Sequence, residues 1–460
     1  LQFEEGELVE ASLFNELRLS PQSRALRHLF FAERQALKIP ALSRDTPTKQ
    51  IRNVGIVGAG TMGGGIAMNF ANAGIPVVLI ETTQTALDRG MATIRANYEA
   101  SVARGRLTQG EFARRFGMLS TSLSDEVLAD VDLVIEAVFE DMALKTQVCR
   151  RLGEICKPGA IIATNTSTLD VNLLANATGR PELVVGMHFF SPANVMRLLE
   201  VIRADETAPE VLATVMHLAR RIGKVPVVSG VCYGFIGNRM AEAYMREAEF
   251  LLMEGAAPAQ IDHAVESLGM AMGPCRMLDV AGIDVGARTV IENGKVGGLP
   301  PDPGYRAVVQ KLYELGRFGQ KTGAGYYRYD GRKPIPDPEI EQIARELAVS
   351  HAIPRRTDIS DQEIVERLLY PLINEGAKLL EEGIAYRPGD IDVVWTAGYG
   401  FPDHRGGPLY MADQIGLNNI EARMSHYAST RGNAFGYWTC SGLLASLASD
   451  GQRFTDLAAA

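Results

Sequence analysis

The sequence predicts an α/β domain built on a doubly wound, mainly parallel sheet, followed by two related all-α domains. Three observations predict it. Between Ile51 and Ser229 short β-branched runs alternate with helical stretches; a glycine-rich turn joins the first run to the first helix; and after Gly230 helical patterns take over, with one spaced set of residues occurring twice.

Residues 11–38 read as helix, with Leu26, Leu29, Phe30 and Leu37 near helical spacing, and Pro40 and Pro47 ending it. The Pro- and Thr-rich stretch 39–50 reads as a linker, so residues 1–50 form a linker helix and linker. The runs VGIV, VVLI, VDLVI, AIIAT, LVVGM and VPVV then read as strands of a domain spanning 51–229. An extra helical pair follows VVLI and carries Arg95, Arg104, Arg106, Arg114 and Arg115; such a cluster either meets the phosphates of a ligand or forms a solvated face.

A first helical domain is expected over 230–332, a linker over 333–360 and a second helical domain over 361–460. The repeat pairs Glu254-Gly255, Pro258, Ile261-Asp262, Gly273-Pro274 and Leu278-Asp279 with Glu382-Gly383, Pro388, Ile391-Asp392, Phe401-Pro402 and Ala412-Asp413.

Composition bounds the function. With 46% hydrophobic and 22% charged residues over 460 residues, the chain is globular and long enough for several cores. A net charge of -9 argues against a general role on nucleic acid or anionic membrane. No apolar run approaches membrane-spanning length, and the acidic start LQFEEGELVE is unlike a signal peptide. A cytoplasmic location is expected, and the terminal Ala458-Ala459-Ala460 is not a peroxisomal address. The opening Leu1 suggests a fragment or a processed product. Five scattered cysteines, without a C-x-x-C pair or a His at ligand spacing, predict reduced thiols and no metal site.

Gly58-Ala59-Gly60-Thr61-Met62-Gly63 follows the strand NVGIV and opens a helical stretch. The first Gly permits the tight turn, the second lets a pyrophosphate approach the backbone, and the third allows close helix packing. Glu81 ends the next strand, where a carboxylate accepts both adenosine ribose hydroxyls and repels a 2'-phosphate, so NAD is expected over NADP. The sheet is then of Rossmann type.

Ligands in such sheets bind beyond the carboxyl ends of the strands. Three segments lie there: Glu136 to Glu140 with Lys145, Asn165 to Thr168, and His188 to Pro192. Oxidising an alcohol requires a base, and His188 is the only one of seven histidines at a strand end in this domain. Glu200, in the run LLEVI, is the candidate to orient its imidazole. The alternative for His188 is a hydrogen-bonded core histidine.

GAGTMG, EAVFE, NTSTL, HFFSP, Glu200 and GFIGNR, in that order, resemble the L-3-hydroxyacyl-CoA dehydrogenases, in particular the dehydrogenase half of the multifunctional β-oxidation enzymes of bacteria and peroxisomes. The resemblance covers the chain from about Ile51. It implies NAD-dependent oxidation of (S)-3-hydroxyacyl-CoA to 3-oxoacyl-CoA, with His188 as base and Glu200 as its partner. Ser167 and Asn238 would bond substrate oxygens, and Met62, Glu81, Glu140, Lys145, Ser167 and Ser191 would contact the cofactor beside Gly58, Gly60 and Gly63. Helix capping is an alternative role for Ser167 and Asn238.

Two departures stand out: Ser191 where relatives have Asn, which puts its cofactor contact in doubt because a hydroxyl replaces only one amide bond, and Glu81 where Asp is common. The helix ALRHLFFAERQALKIP resembles the segment that joins an enoyl-CoA hydratase domain to the dehydrogenase, so the chain is expected to be the dehydrogenase part of a larger polypeptide with a hydratase domain, or a relative that lost the rest, with no hydratase activity of its own. Glu366 stands at the repeat position of Asn238, so the second copy is expected to replace within one chain the partner subunit that shorter dehydrogenases recruit, giving a monomer. A silent NAD- and acyl-CoA-binding relative is one alternative. Another is a 3-hydroxyacid dehydrogenase using a Lys acid-base, although Gly234 to Gln260 contains no Lys.

Overall fold

The computed structural model describes residues 2–40, 42–43, 45–295 and 297–457; the terminal Ala458-Ala459-Ala460, on which the address expectation fell, lies outside them. The helices are α1 Phe3–Leu19, α2 Pro21–Ala36, α3 Thr61–Asn72, α4 Gln84–Ala103, α5 Gln109–Phe116, α6 Met142–Ile155, α7 Val171–Ala177, α8 Pro209–Arg221, α9 Gly237–Glu254, α10 Pro258–Leu268, α11 Pro274–Ala281, α12 Ile283–Lys295, α13 Ala307–Glu314, α14 Pro338–Ser350, α15 Asp361–Glu381, α16 Pro388–Gly398, α17 Pro408–Ile415, α18 Leu417–Arg431 and α19 Gly442–Asp450. The strands of the main sheet are β1 Val54–Val57, β2 Val77–Ile80, β3 Leu119–Ser122, β4 Leu133–Glu136, β5 Ile161–Thr164, β6 Val184–Phe189, β7 Leu198–Ile202 and β8 Val225–Ser229. No helix among the described residues is long and apolar enough to cross a membrane.

The single helix expected over 11–38 is two. α1 ends at Leu19, its C-cap Ser20 has an extended ψ of 151°, and α2 begins at Pro21. Proline pushes its predecessor out of helical conformation and suits a first helical position, so the SPQS sequence divides the segment. α1 buries none of its residues.

The described residues form two compact units. One comprises Ala32–Phe235 with Gly383–Tyr386; the other comprises Ile236–Glu382 with residues 2–31 and 387–457. The first extends past the expected 51–229 because Ile39 is buried in its core with Leu37 and Leu42 packed against it, and Gly230 N–H donates to Ile384 O at 2.8 Å.

Its sheet runs in the order β3-β2-β1-β4-β5-β6-β7-β8, parallel except where β6 meets β7. Alternation along each strand sends successive side chains to opposite faces. Leu133, Ile135, Ile161 and Ala163 join the core under α3, α4, α5 and α8, while Val134 and Ile162 join a second core with Leu152 of α6 and Val171 of α7. A sheet covered on both faces must be apolar on both, which is why its strands read as continuous hydrophobic runs. The exception is β3, LSTS, which the hydrophobic pattern missed: it is an edge strand whose middle residues are exposed. Burial pushes the Cys149 thiol up to about 12 and the Cys156 thiol to about 11, as expected of inert structural cysteines.

In the helical unit, α9 and α15 pack together, and the buried Arg367 of α15 donates to Glu247 and Glu254 of α9 at 2.7–3.1 Å. The repeat is visible as two copies of one hydrogen-bonding device. Asp262 accepts from the N–H groups of Cys275 and Arg276 at the start of α11, and Asp392 from those of Leu409 and Tyr410 at the start of α17. Asp279 likewise accepts from the N–H groups of Tyr326 and Tyr327, and Asp413 from those of Phe454 and Thr455. Each carboxylate satisfies backbone donors that would otherwise be orphaned. These contacts correct one pairing of the repeat: the counterpart of Gly273-Pro274 is Gly407-Pro408, not Phe401-Pro402, because the intervening loop is longer in the second copy. Side-chain donors differ: Tyr327 Oη donates to Asp262 at 2.6 Å, while His28 Nε2 meets Asp392 at 2.8 Å. The expected linker 333–360 is also partly structured, holding the strand Lys333–Ile335, paired with Arg328–Asp330, and α14.

Candidate active site

The turn between β1 and α3 is built for glycine. Gly58 has φ +101°, which side chains rarely adopt, and a Cβ there would lie 2.8 Å from Ala137 O. A Cβ on Gly63 would fall 1.8 Å from Gly58 O, so α3 can pack across the turn only with glycine at that position. Gly60 differs: a Cβ on it meets no protein atom within 4 Å. Gly60 is also the N-cap of α3 and makes no side-chain cap, so the first amides of a 12-residue helix open onto that same space. An uncapped helix start beside open space at a glycine fits the pyrophosphate of a dinucleotide. Glu81 stands beside the turn, its carboxylate accepting from Ala59 N–H at 3.0 Å and Thr82 N–H at 3.1 Å. Met62 is half-buried against the core under α3. Replacing Gly63 by Ala is expected to displace the turn at a cost of about 1–3 kcal/mol, weakening NAD binding by about tenfold or more in a fluorescence titration; unchanged affinity would contradict this reading of the turn.

Beyond the ends of β4 and β5, a second cluster assembles. Glu136, wholly buried, accepts from Lys145 Nζ at 2.7 Å, Thr164 Oγ1 at 2.8 Å and Val138 N–H at 2.7 Å. Lys145 Nζ also lies 3.5 Å from Glu140 Oε2. Glu140 Oε1 in turn accepts from Thr166 Oγ1 at 2.7 Å, Ser167 N–H at 2.8 Å and Ser167 Oγ at 3.1 Å. Burial alone would raise the Glu140 carboxyl, but Lys145 and the bonds from Thr166 and Ser167 hold it below the ordinary range. Glu140, Lys145 and Ser167 are thus one network, with Ser167 on a turn gathered around the carboxylate. Neither Ser167 nor Asn238 caps a helix: the N-cap of α7 is Asp170 and that of α9 is Ile236.

His188 and Glu200 are direct register partners on the antiparallel strands β6 and β7. Cross-strand partners put their side chains on the same face, and His188 Nδ1 lies 2.8 Å from Glu200 Oε2. Both are buried, Glu200 completely and His188 to 5% exposure. The ring of Phe190 lies 4.3 Å from the imidazole and that of Phe235 5.8 Å. With Nδ1 facing a carboxylate, Nε2 is the nitrogen left to exchange a proton with a ligand.

The loop after β6 is fixed by residues the sequence did not suggest. Lys224 Nζ donates to the carbonyls of Ala193 and Met196, each at 2.6 Å, and burial pushes its ammonium down to about 8. Asn69 of α3 donates to Ala193 O at 2.9 Å, joining this loop to the helix that follows the glycine turn. Neither had a sequence signal beyond a polar residue among apolar ones. Ser191 is exposed on this loop, before the cis peptide to Pro192.

Asn238 belongs to the helical unit, at the second position of α9, where Tyr399 Oη donates to its Oδ1 at 2.7 Å. Of the five arginines singled out between Arg95 and Arg115, two are engaged within the protein: Arg95 of α4 lies 4.4 Å over the Phe116 ring, and Arg115 of α5 donates to Asn72. Arg104, Arg106 and Arg114 are exposed. Among the described residues no group of His, Cys, Asp and Glu is arranged to hold a metal ion.

Two family models match the chain: the 3-hydroxyacyl-CoA dehydrogenase NAD binding domain over residues 53–232, and the 3-hydroxyacyl-CoA dehydrogenase C-terminal domain over 234–329 and again over 364–452. The chain is 44% identical over 444 residues to the peroxisomal bifunctional enzyme of Cavia porcellus, covering 92% of this chain and 60% of that protein's length. Among solved structures, 3-hydroxybutyryl-CoA dehydrogenase from Escherichia coli matches with a TM-score of 0.75 at 27% identity, covering 88% of this chain and 100% of that one. The dehydrogenase part of multifunctional enzyme 1 from C. elegans matches with a TM-score of 0.65 at 30% identity, covering 91% and 96%.

The cytoplasmic expectation is overturned here, since the relatives from Cavia porcellus, Danio rerio and Homo sapiens are all named peroxisomal. Composition and hydrophobic runs do not separate the cytosol from an organelle whose address is a short, receptor-read signal.

Proposed function

The chain belongs to the 3-hydroxyacyl-CoA dehydrogenase family, with that family's NAD-binding domain, and from this premise we propose that it oxidises (S)-3-hydroxyacyl-CoA to 3-oxoacyl-CoA in fatty-acid β-oxidation. The observation that carries the site assignment is the buried His188–Glu200 pair at the carboxyl end of β6, in the domain that holds the glycine turn. Bound NAD supplies the hydride acceptor. Gly58, Gly60 and Gly63 shape the turn that receives its phosphates, and Glu81 favours free ribose hydroxyls over a 2'-phosphate.

His188 takes the substrate's hydroxyl proton at Nε2 as the C3–hydrogen bond breaks with its electron pair and the C3–oxygen double bond forms. Glu200 holds Nδ1 protonated, so Nε2 is the basic nitrogen, and it stabilises the imidazolium that results. Ser167 and Asn238 orient the substrate oxygens. Glu140 and Lys145, locked to Glu136 and to the turn at Ser167, hold that turn in place and meet the cofactor with Met62 and Ser191.

The test is NADH formation, followed by its absorbance, from (S)-3-hydroxybutyryl-CoA and from a C10 homologue, with NADP in place of NAD as a control. Turnover with NAD at least about tenfold above that with NADP is expected; no NADH from either thioester would remove the proposal. A monomer is proposed as well, supported by the double match of the C-terminal family model and by the buried α9–α15 pairing. Light scattering after size exclusion checks it, with a dimer mass as the contrary result.

A further inference from the structure

We propose that Tyr399, from the second helical repeat, is a positioning residue for Asn238 of the first, so that the second repeat serves substrate binding directly. The proposal rests on the reading of Asn238 as a substrate contact. Tyr399 Oη donates to Asn238 Oδ1 at 2.7 Å across 161 residues of chain. An amide has one accepting and one donating end. Because the phenol donates, Oδ1 faces Tyr399 and Nδ2 faces away from it, so the bond selects which end of the amide a substrate oxygen can meet. That oxygen accepts hydrogen bonds, and the amide's donor end is the one it requires.

The surroundings hold the phenol in place. The Tyr399 ring stacks on Trp395, with centroids 4.6 Å apart and planes 24° from parallel, and Trp395 is itself buried, 6.2 Å from the Tyr244 ring with planes at 65°. The ring lies so close to the start of α9 that a Cβ on Gly237 would come within 2.5 Å of it. This accounts for the second glycine of GFIGNR, at the first position of α9. The repeats have diverged in complementary ways. At the C-cap of α10, the counterpart of Tyr399 is Gly269, and the counterpart of Asn238 is Glu366, which accepts from Tyr427 and Arg423 within its own copy. The phenol–amide pair therefore exists once, with one member from each copy.

The experiment is a double-mutant cycle of Tyr399→Phe and Asn238→Ala, read as kcat/KM for the acyl-CoA, KM for NAD and melting temperature. Tyr399→Phe keeps the stacked ring and is expected to lower kcat/KM for the acyl-CoA by about three- to tenfold, leaving KM for NAD unchanged. In the Asn238→Ala background the same change is expected to cost less than about twofold. An equal loss in both backgrounds, or no loss from Tyr399→Phe where Asn238→Ala alone is damaging, overturns the inference while leaving the role of Asn238 intact. A silent Asn238→Ala overturns the assignment of Asn238 itself, and the inference with it. A loss that tracks a fall in melting temperature in both backgrounds assigns Tyr399 a purely structural role and also overturns it.

Discussion

His188→Gln is expected to lower kcat for NADH formation by about a thousandfold, with KM for the acyl-CoA and for NAD changed by less than about threefold. The reason lies in the pair's geometry. The imidazole is buried, its Nδ1 lies 2.8 Å from a wholly buried carboxylate, and the other histidine of this unit, His217 on α8, is exposed. Removing the ring altogether would take a hydrogen-bonding partner from the buried Glu200 carboxylate and confuse lost chemistry with lost stability. Glutamine avoids this, because its amide donates to the carboxylate while providing no basic nitrogen. An unfolding midpoint close to that of the wild type, together with the loss of turnover, is the expected pattern. Activity within a few-fold of wild type would remove His188 as the base.

Glu200→Gln is expected to lower kcat by about a hundred- to a thousandfold although it preserves shape and a hydrogen bond. A carboxylate only accepts, so it requires hydrogen on Nδ1 and leaves Nε2 basic. An amide can donate to Nδ1 instead, which puts the ring proton on Nε2, where it blocks the reaction, and no negative charge remains to stabilise the imidazolium. Residues acting as one unit do not add their effects. The double variant His188→Gln, Glu200→Gln should therefore lie within about threefold of His188→Gln alone. Independent, multiplying losses would show that Glu200 acts through something other than the imidazole.

The pairing of the two residues was legible before the fold was known, each for a different reason. His188 follows from a rule about strand ends, which needs only the order of runs along the chain. Glu200 was an acid in an apolar stretch, and its meaning depends on β7 turning back against β6 in a register that pairs these two residues. A shift of one residue would have sent the carboxylate to the opposite face. The edge strand LSTS was missed because exposure relieves it of the apolar pattern by which the inner strands were found. The pairing of Gly273-Pro274 with Phe401-Pro402 went wrong because spacing is a poor guide across a loop of altered length. Hydrogen bonds to Asp262 and Asp392 identify the true counterparts.

The sequence by itself determined what depends on near neighbours in the chain: the glycine turn, the acid after the second strand, the alternation of strands and helices, and the twofold pattern of the helical half. Those features follow from backbone conformation and from the periods of 2 and 3.6 residues, which act over short distances. Only the tertiary structure decided which distant side chains meet. The Glu136–Lys145–Glu140–Ser167 network, the grip of Lys224 on the loop after β6 and the bond from Tyr399 to Asn238 each join groups on separate elements. Such pairs arise from how elements pack and satisfy buried polar groups together, and no local pattern specifies that.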